Sequence, residues 1–212
     1  MLNIKQFTFN PFSENTYLLY DDSHHAVIID PGCYDRYEQA QLLAFINQKA
    51  LQPEALWLTH AHIDHVLGNQ FVYEQWGLSP QMHRAEQTNL DRLPAYAPTF
   101  GFPAIQSPAA SDYIEAADVL KVGDFELEVL FAPGHSAGSL CFYHRAGGWL
   151  IGGDVLFRES IGRTDLPGGD FDTLISSIQK QLFNLPEATI VYPGHGPATT
   201  IGYEKRNNPF LK

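Results

Sequence analysis

Cysteine is scarce. The 212-residue chain has two, Cys33 and Cys141, far apart and outside any CxxC. That excludes a disulfide framework and points to a reducing compartment, the cytoplasm. Each reads as a small buried apolar residue rather than a reactive thiol. Positive charge is also short. Thirteen Lys and Arg stand against 24 Asp and Glu, for a net charge of −11. Nucleic-acid binding needs a basic face for the phosphates, so it is excluded as the main task. A small anionic substrate is not excluded, because bound divalent cations would invert the local field. No apolar run approaches the ~20 residues of a membrane span, and "MLNIKQFTFN" has no apolar stretch of the signal-peptide kind. No membrane partner is expected. Internal repeats, low-complexity tracts and charge blocks are missing too, and no motif sets an oligomeric state.

What is there is an ordinary globular composition, 44% hydrophobic and 17% charged, and it suits a single domain expected to span residues 1–212. "NIKQFTF", "NTYLLYD" and "HAVIID" read as strands, the third ending at Asp30-Pro31-Gly32 with turn chemistry. "YEQAQLLAFINQKAL" predicts a helix with Ala40, Leu43, Ala44 and Leu51 near helical spacing, stopped by Pro53. "EALWLTH" is a short strand. "HVLGNQFVYEQWG" predicts one helix with Leu67, Phe71, Val72 and Trp76 inward, ended by Gly77. The Pro-rich "LPAYAPTFGFPAIQSPAAS" predicts an ordered surface loop that forms a lip over a site. "DVLKVGDFELEVLF" predicts a hairpin turning at Gly123-Asp124, and "SLCFYH" with "GWLIGGD" a second one. "FDTLISSIQKQLFNLP" predicts a helix with Phe171, Leu174, Ile175, Ile178 and Leu182 on one face, followed by the strand "ATIVYPGH". The order repeats roughly in each half. It fits an α/β sandwich of two sheets with helices outside, better than one alternating parallel sheet.

Nine histidines punctuate this pattern. His60, His62 and His65 crowd one short loop with Asp64, in "THAHIDH". Three imidazoles and a carboxylate at that density are costly unless a cation sits between them. His60 ends a strand. His135 ends "LFAPGH", His195 ends "IVYPGH" and Asp154 ends "WLIGGD". Four strand ends thus deliver a potential ligand into loops, where rigid sheets build sites. Imidazole and carboxylate suit borderline divalent metals such as zinc. His60, His62, Asp64, His65, His135, Asp154 and His195 are too many for one ion. They suit two, sharing a carboxylate and holding a hydroxide between them at neutral pH. His24, His25, His83 and His144 have no such context and read as surface or packing residues.

His60-x-His62-x-Asp64-His65, with His135 in "APGHSAGS", Asp154 in "GGDVLF" and His195 in "YPGHGP", resembles the metallo-β-lactamase superfamily along essentially the whole chain. The resemblance implies a four-layer αβ/βα sandwich with two divalent ions at one edge, zinc first and iron or manganese as the other candidates. It implies that His60, His62 and His135 hold one ion, that Asp64, His65 and His195 hold the other, and that Asp154 bridges them. Many β-lactamases of this fold carry cysteine at the position of Asp154. "GDVLFRESIGRTDLPGGD" and "GHGPATTIGYEKRNNPFL" are similar to a short, glyoxalase II-like group, which implies a hydroxyacylglutathione hydrolase or a related thioesterase. Its substrate would be S-D-lactoylglutathione or another small thioester, attacked by the bridging hydroxide. By the same resemblance Asp64 orients that hydroxide as a catalytic residue, and Asp30 steadies a ligand loop from behind. Arg163 is a candidate contact for a substrate anion, or equally the partner of Asp165 or Asp170 in a salt bridge.

Three rivals share these residues. Persulfide dioxygenases resemble the chain around "GRTD", and His60, His135 and Asp154 would then hold a single iron. Gly134-His135-Ser136-Ala137-Gly138 matches the G-x-S-x-G elbow of serine hydrolases, with Ser136, Asp154 and His195 in the right order. Against it, "SLCFYHR" alternates like a strand where an elbow needs a helix. The third rival is a metal-binding protein without catalysis, which a loop-rich site with open positions argues against.

Overall fold

The computed structural model describes residues 2–212. Its first half is β1 (Asn3–Phe9), β2 (Glu14–Tyr20), β3 (His25–Ile29), α1 (Arg36–Gln48), β4 (Gln52–Trp57), α2 (Ile63–Val66), α3 (Asn69–Trp76), β5 (Pro80–Met82), α4 (Gln87–Tyr96) and β6 (Asp112–Tyr113). The six strands form one sheet in sequence order. The second half is β7 (Val119–Val122), β8 (Phe125–Phe131), β9 (Leu140–His144), β10 (Trp149–Gly153), β11 (Leu156–Phe157), β12 (Ser160–Ile161), α5 (Phe171–Ser177), β13 (Ile190–Pro193), β14 (Thr199–Thr200) and α6 (Ile201–Asn207). Its main sheet runs β14-β13-β10-β9-β8-β7, with β11 and β12 as a separate ribbon.

Strand alternation sorts the apolar residues into layers. Tyr17, Leu19, Val27, Ile29 and Trp57 of the first sheet face Leu127, Val129, Phe142, Trp149 and Ile151 of the second. Their neighbours in register point the other way. Leu18, Ala26, Ile28 and Leu56 pack under Leu42, Ile46, Val72 and Leu90 of the first-half helices. Cys141, Tyr143, Leu150 and Val191 pack under Leu174, Ile178 and Ile201. Helices, sheet, sheet and helices make four layers, the αβ/βα sandwich expected. Both hairpins form, with Val122 opposite Phe125 and His144 opposite Trp149.

Several local expectations change. In α1 the buried residues are Leu42 and Ile46, while Ala40 and Ala44 are exposed. Asp35 caps the helix through the backbone N–H groups of Tyr37 and Glu38. The bulkier Leu42 and Ile46 then win the inward face over the two alanines. The single helix expected over "HVLGNQFVYEQWG" is two, α2 and α3, broken where the Gly68 N–H donates to Pro31 O at 2.7 Å. Gly77 closes α3 in the left-handed conformation, as predicted. The Pro-rich lip is partly helical. It continues α4 through Pro94 to Tyr96, then makes a 3-10 turn over Ala97–Phe100. Phe171 is exposed although it shares the spacing of Leu174 and Ile178. It is the first residue after the Asp170 cap, where the chain is still turning in from solvent.

Candidate metal centre

Parallel pairing puts the carboxyl ends of β3 and β4 side by side, and likewise those of β10 and β13. Because β9 runs antiparallel to both β8 and β10, β8 ends at the same edge. Asp30 and the His60 loop therefore arrive from the first sheet, and His135, Asp154 and His195 from the second. Hydrogen bonds seal this edge between the sheets. The Tyr17 hydroxyl donates to Pro193 O at 2.7 Å, and Asn15 Nδ2 to the same oxygen at 3.0 Å.

All seven residues singled out from the sequence converge there, in two groups. His60, His62 and His135 present ring nitrogens within 4.8 Å of one another, and so do Asp64, His65 and His195 with a carboxylate oxygen. His135 Nε2 lies 2.8 Å from His62 Nδ1 and 3.1 Å from His60 Nε2. His195 Nε2 lies 3.0 Å from Asp64 Oδ2. Asp154 stands between the groups, its carboxylate 3.5 Å from Nε2 of His65, His135 and His195 alike. Gly194 of the "YPGH" turn makes this closeness possible, since a Cβ there would stand 2.1 Å from Asp154 Oδ1.

The far ring nitrogens are already engaged. Nδ1 of His65 meets Asp30 Oδ2 at 3.0 Å, Nδ1 of His135 meets Arg163 O at 2.8 Å, and Nδ1 of His195 meets Phe12 O at 3.1 Å. His60 Nδ1 meets the Thr59 hydroxyl at 3.0 Å. These contacts fix the Nδ1–H tautomer of the rings facing carbonyl or carboxylate, and leave Nε2 lone pairs for an ion. His62 is turned round, with Nδ1 toward the cluster. Asp30, in its DPG turn, accepts from the Thr59 N–H at 2.7 Å and from its hydroxyl at 2.6 Å, so one carboxylate braces both Thr59 and His65.

The donors fit a metal pair on their own chemistry. His65 Nε2 and Asp154 Oδ1 are fully buried with no hydrogen-bond partner among the described residues. Orphaned buried polar atoms are rare, and a cation satisfies both. Burial holds His60 well below the usual imidazole range, helped by the facing His65, His62 and His135 rings. Burial likewise takes His62 down to about 4. At His65 burial opposes the charged form, but the Asp64 and Asp154 carboxylates overcome it and raise the ring well above its ordinary value. At Asp154 burial pushes upward, and the charge of the facing His65 prevails to lower it. His60 and His62 are thus held as neutral imidazoles and Asp154 as an ionised carboxylate, the forms a metal needs of its ligands.

A cavity of about 780 Å³ opens over the cluster, reaching His62, Asp64, His135, Asp154 and His195. Phe12, Tyr96, Phe100, Phe157, Ile161 and Leu166 make most of it apolar. The lip supplies Tyr96, Thr99 and Phe100, as anticipated. Arg163 lines the cavity and is bound in two hydrogen bonds, 2.7 and 2.8 Å, to the Asp165 carboxylate. Arg92 of α4 also lines it. No sequence pattern singles out Arg92, nor the fully buried acids Glu14 and Glu86. Each lies in an ordinary polar stretch and gains meaning only from what folds against it.

Ser136 is not built as a nucleophile. It is fully buried, its hydroxyl donates to Glu86, and the chain after it enters strand β9 rather than a helix. Histidines outside the cluster behave as surface and packing groups. His83 stacks on Phe131 with ring centroids 4.6 Å apart, His144 lies over Trp149, and His25 pairs with Glu54.

An αβ/βα sandwich with two ligand groups at one sheet edge defines a class, the dinuclear metallohydrolase scaffold. Residues 9–195 match the metallo-beta-lactamase superfamily, and the chain belongs to that family. It is 38% identical over 216 residues to hydroxyacylglutathione hydrolase GloC of Haemophilus influenzae, covering 99% of this chain and 98% of that one. It is 40% identical over 203 residues to the probable metallo-hydrolase YqgX of Bacillus subtilis, covering 95% and 93%. Among solved structures it resembles BLEG-1 B3 metallo-beta-lactamase at a TM-score of 0.89 and 38% identity, covering 99% of this chain and 100% of that one. TTHA1623 in a di-iron-bound form follows at 0.88 and 38%, covering 98% and 100%. ETHE1 from Myxococcus xanthus is further off, at 0.78 and 27%, covering 98% and 83%. The chain is therefore a metal-dependent hydrolase by family, and its histidine clusters form a site suited to two ions.

Proposed function

We propose that the protein is a glyoxalase II-like thioesterase that hydrolyses S-D-lactoylglutathione or a closely related small thioester. The observation that carries this reading is the pair of ligand groups flanking Asp154 at the floor of one open, mostly apolar cavity. Likeness to GloC along nearly the whole chain supports the substrate class. His60, His62 and His135 would hold one divalent ion, Asp64, His65 and His195 the other, and Asp154 both. Five imidazoles and two carboxylates accept zinc, iron or manganese. When bound, such a pair supplies Lewis acidity at an acyl oxygen and a water acidic enough to attack at neutral pH.

The chain's own residues do the rest. Phe12, Tyr96, Phe100 and Phe157 keep the acyl group out of bulk water, which strengthens every charge interaction at the cluster. Asp64 borders the cavity and orients the attacking water by accepting its hydrogen. The water gives up a proton to solvent, its oxygen forms the new bond to the acyl carbon, the C–S bond breaks, and the thiolate leaves with the electron pair. A thiolate near pKa 8.5 needs little help from a general acid, which is consistent with a cavity lined by imidazoles engaged elsewhere.

Purified protein should hydrolyse S-D-lactoylglutathione, while a chelator-stripped sample and His60→Ala should be inactive. A second reading, β-lactam hydrolysis, is favoured by the likeness to BLEG-1 and runs in parallel on a chromogenic β-lactam. Metal-loaded protein that is inert on the thioester but active on the β-lactam, or on a glutathione persulfide with O₂ uptake, sinks the thioesterase reading in favour of that reaction.

A further inference from the structure

Glu86 immediately precedes α4 and touches no proposed ligand, yet it is a carboxylate with no solvent exposure. Its Oε2 accepts from the Ala61 N–H at 2.9 Å and from Asn89 Nδ2 at 2.9 Å. Its Oε1 accepts from the Gly138 N–H at 2.7 Å and from the Ser136 hydroxyl. Ala61 is the residue between His60 and His62, and Ser136 directly follows His135. One carboxylate therefore ties the loop of the first sheet to the loop of the second. It grips the chain neighbours of all three imidazoles in one ligand group, while Asp64, His65 and His195 make their bonds elsewhere. Gly138 shows how tight the junction is, since a Cβ there would stand 2.8 Å from Glu86 Cγ. This accounts for the serine and the last glycine of the G-x-S-x-G match without any nucleophile.

We propose that Glu86 is the positioning residue of the His60–His62–His135 metal site. By fixing the separation of two loops from two sheets, it sets that site's affinity without contacting the ion. The inference rests on the metal reading above. Outer partners of this kind typically carry a 10–100-fold effect on affinity. A matched control holds no chain neighbour of a ligand. Glu204 is equally buried and accepts from the Thr199 hydroxyl, the Glu159 N–H and Asn208 Nδ2.

The test is competition of metal-stripped protein against a chromophoric chelator for Zn²⁺, with thermal melts on the same samples. Wild type should take two ions. Glu86→Gln should loosen one of them about 10–100-fold and leave the other unchanged. The loss should persist in a His195→Ala background and vanish in a His60→Ala background, which locates it. Ser136→Ala should move the same site in the same direction by less, and Glu204→Gln should lower the melting temperature with both affinities intact. A Glu86→Gln protein that melts early but holds both ions as tightly as wild type overturns the proposal. If Glu86→Gln does not fold, Ser136→Ala decides, and unchanged affinities overturn it. A wild type that takes up no Zn²⁺ fails the metal reading itself, a distinguishable result.

Discussion

Arg92 carries a charge that nothing in the described structure cancels, at the wall of a cavity in a protein of net charge −11. Arg163 across the same cavity is neutralised by Asp165, whose carboxyl the guanidinium's hydrogen bond holds down to about 2. A carboxylate-bearing thioester therefore gains more from Arg92 than from Arg163. Arg92→Ala should raise KM for S-D-lactoylglutathione about fivefold to tenfold, the worth of roughly 1 kcal/mol at a solvent-exposed contact, with kcat nearly unchanged because the contact is remote from the acyl carbon. Arg163→Ala should do less. Steady-state kinetics on that substrate and on a thioester without carboxylates check it, and an equal KM rise for both would remove the anion contact. The contrast between Arg92 and the histidines shows what a sequence can reveal at this scale. His60, His62, Asp64 and His65 fall within six positions, so their crowding is visible before folding. Arg92 and Glu86 acquire their roles from loops tens of residues away, and nothing in "HRAEQTNLDR" records that.

Elements were legible where periodicity was unambiguous and misread where several apolar residues competed for a face. The strands around His135, Asp154 and His195 were readable because apolar runs end at Pro-Gly or Gly-Gly turns, which only a strand end explains. In α1, Ala40, Leu43 and Ala44 offered a second, plausible stripe, with Leu51 beyond the helix end buried as expected, and the frame was settled by the Asp35 cap and by the sheet beneath. Ile46 is 1% exposed and Ala44 is exposed, so the two readings of the helix separate cleanly. Ile46→Ala should cost about 2–5 kcal/mol by cavity formation, and Ala44→Ser should stay within about 0.5 kcal/mol, as surface changes do. Urea denaturation measures both, and comparable losses would restore the stripe through Ala40 and Ala44. The Pro-rich segment escaped recognition as a helix because Pro94 lies inside it. Pro94 stands in the last turn of α4, two residues before its end at Tyr96, and removes the N–H that would otherwise reach the carbonyl of Leu90.

At the scale of the molecule the two sheets meet along an apolar interface, and at one edge it is closed by polar groups: Asn15, Tyr17, Glu86 and the ligand cluster. His60, His62, Asp64 and His65 come from the first half of the chain, and His135, Asp154 and His195 from the second. A metal pair would thus cross-link the halves as well as serve chemistry. The edge brings imidazole nitrogens to 2.8 and 3.1 Å of one another and buries an orphaned carboxylate oxygen, an arrangement that costs free energy unless a cation sits between them. An ion at 100 times its dissociation constant stabilises the folded state by about 2.7 kcal/mol, and a domain of this size shifts its Tm about 2–4 °C per kcal/mol. Chelation should therefore lower the Tm by about 5–10 °C for each ion lost. Amide exchange should accelerate first at the edge formed by residues 59–65, 133–139 and 193–196, while the far ends of both sheets stay protected. Re-addition of Zn²⁺ should restore both readings in wild type and only partly in His195→Ala. A melting temperature and exchange pattern indifferent to chelator would mean that the sandwich is held by its apolar interface alone, and that the cluster contributes nothing to joining its halves.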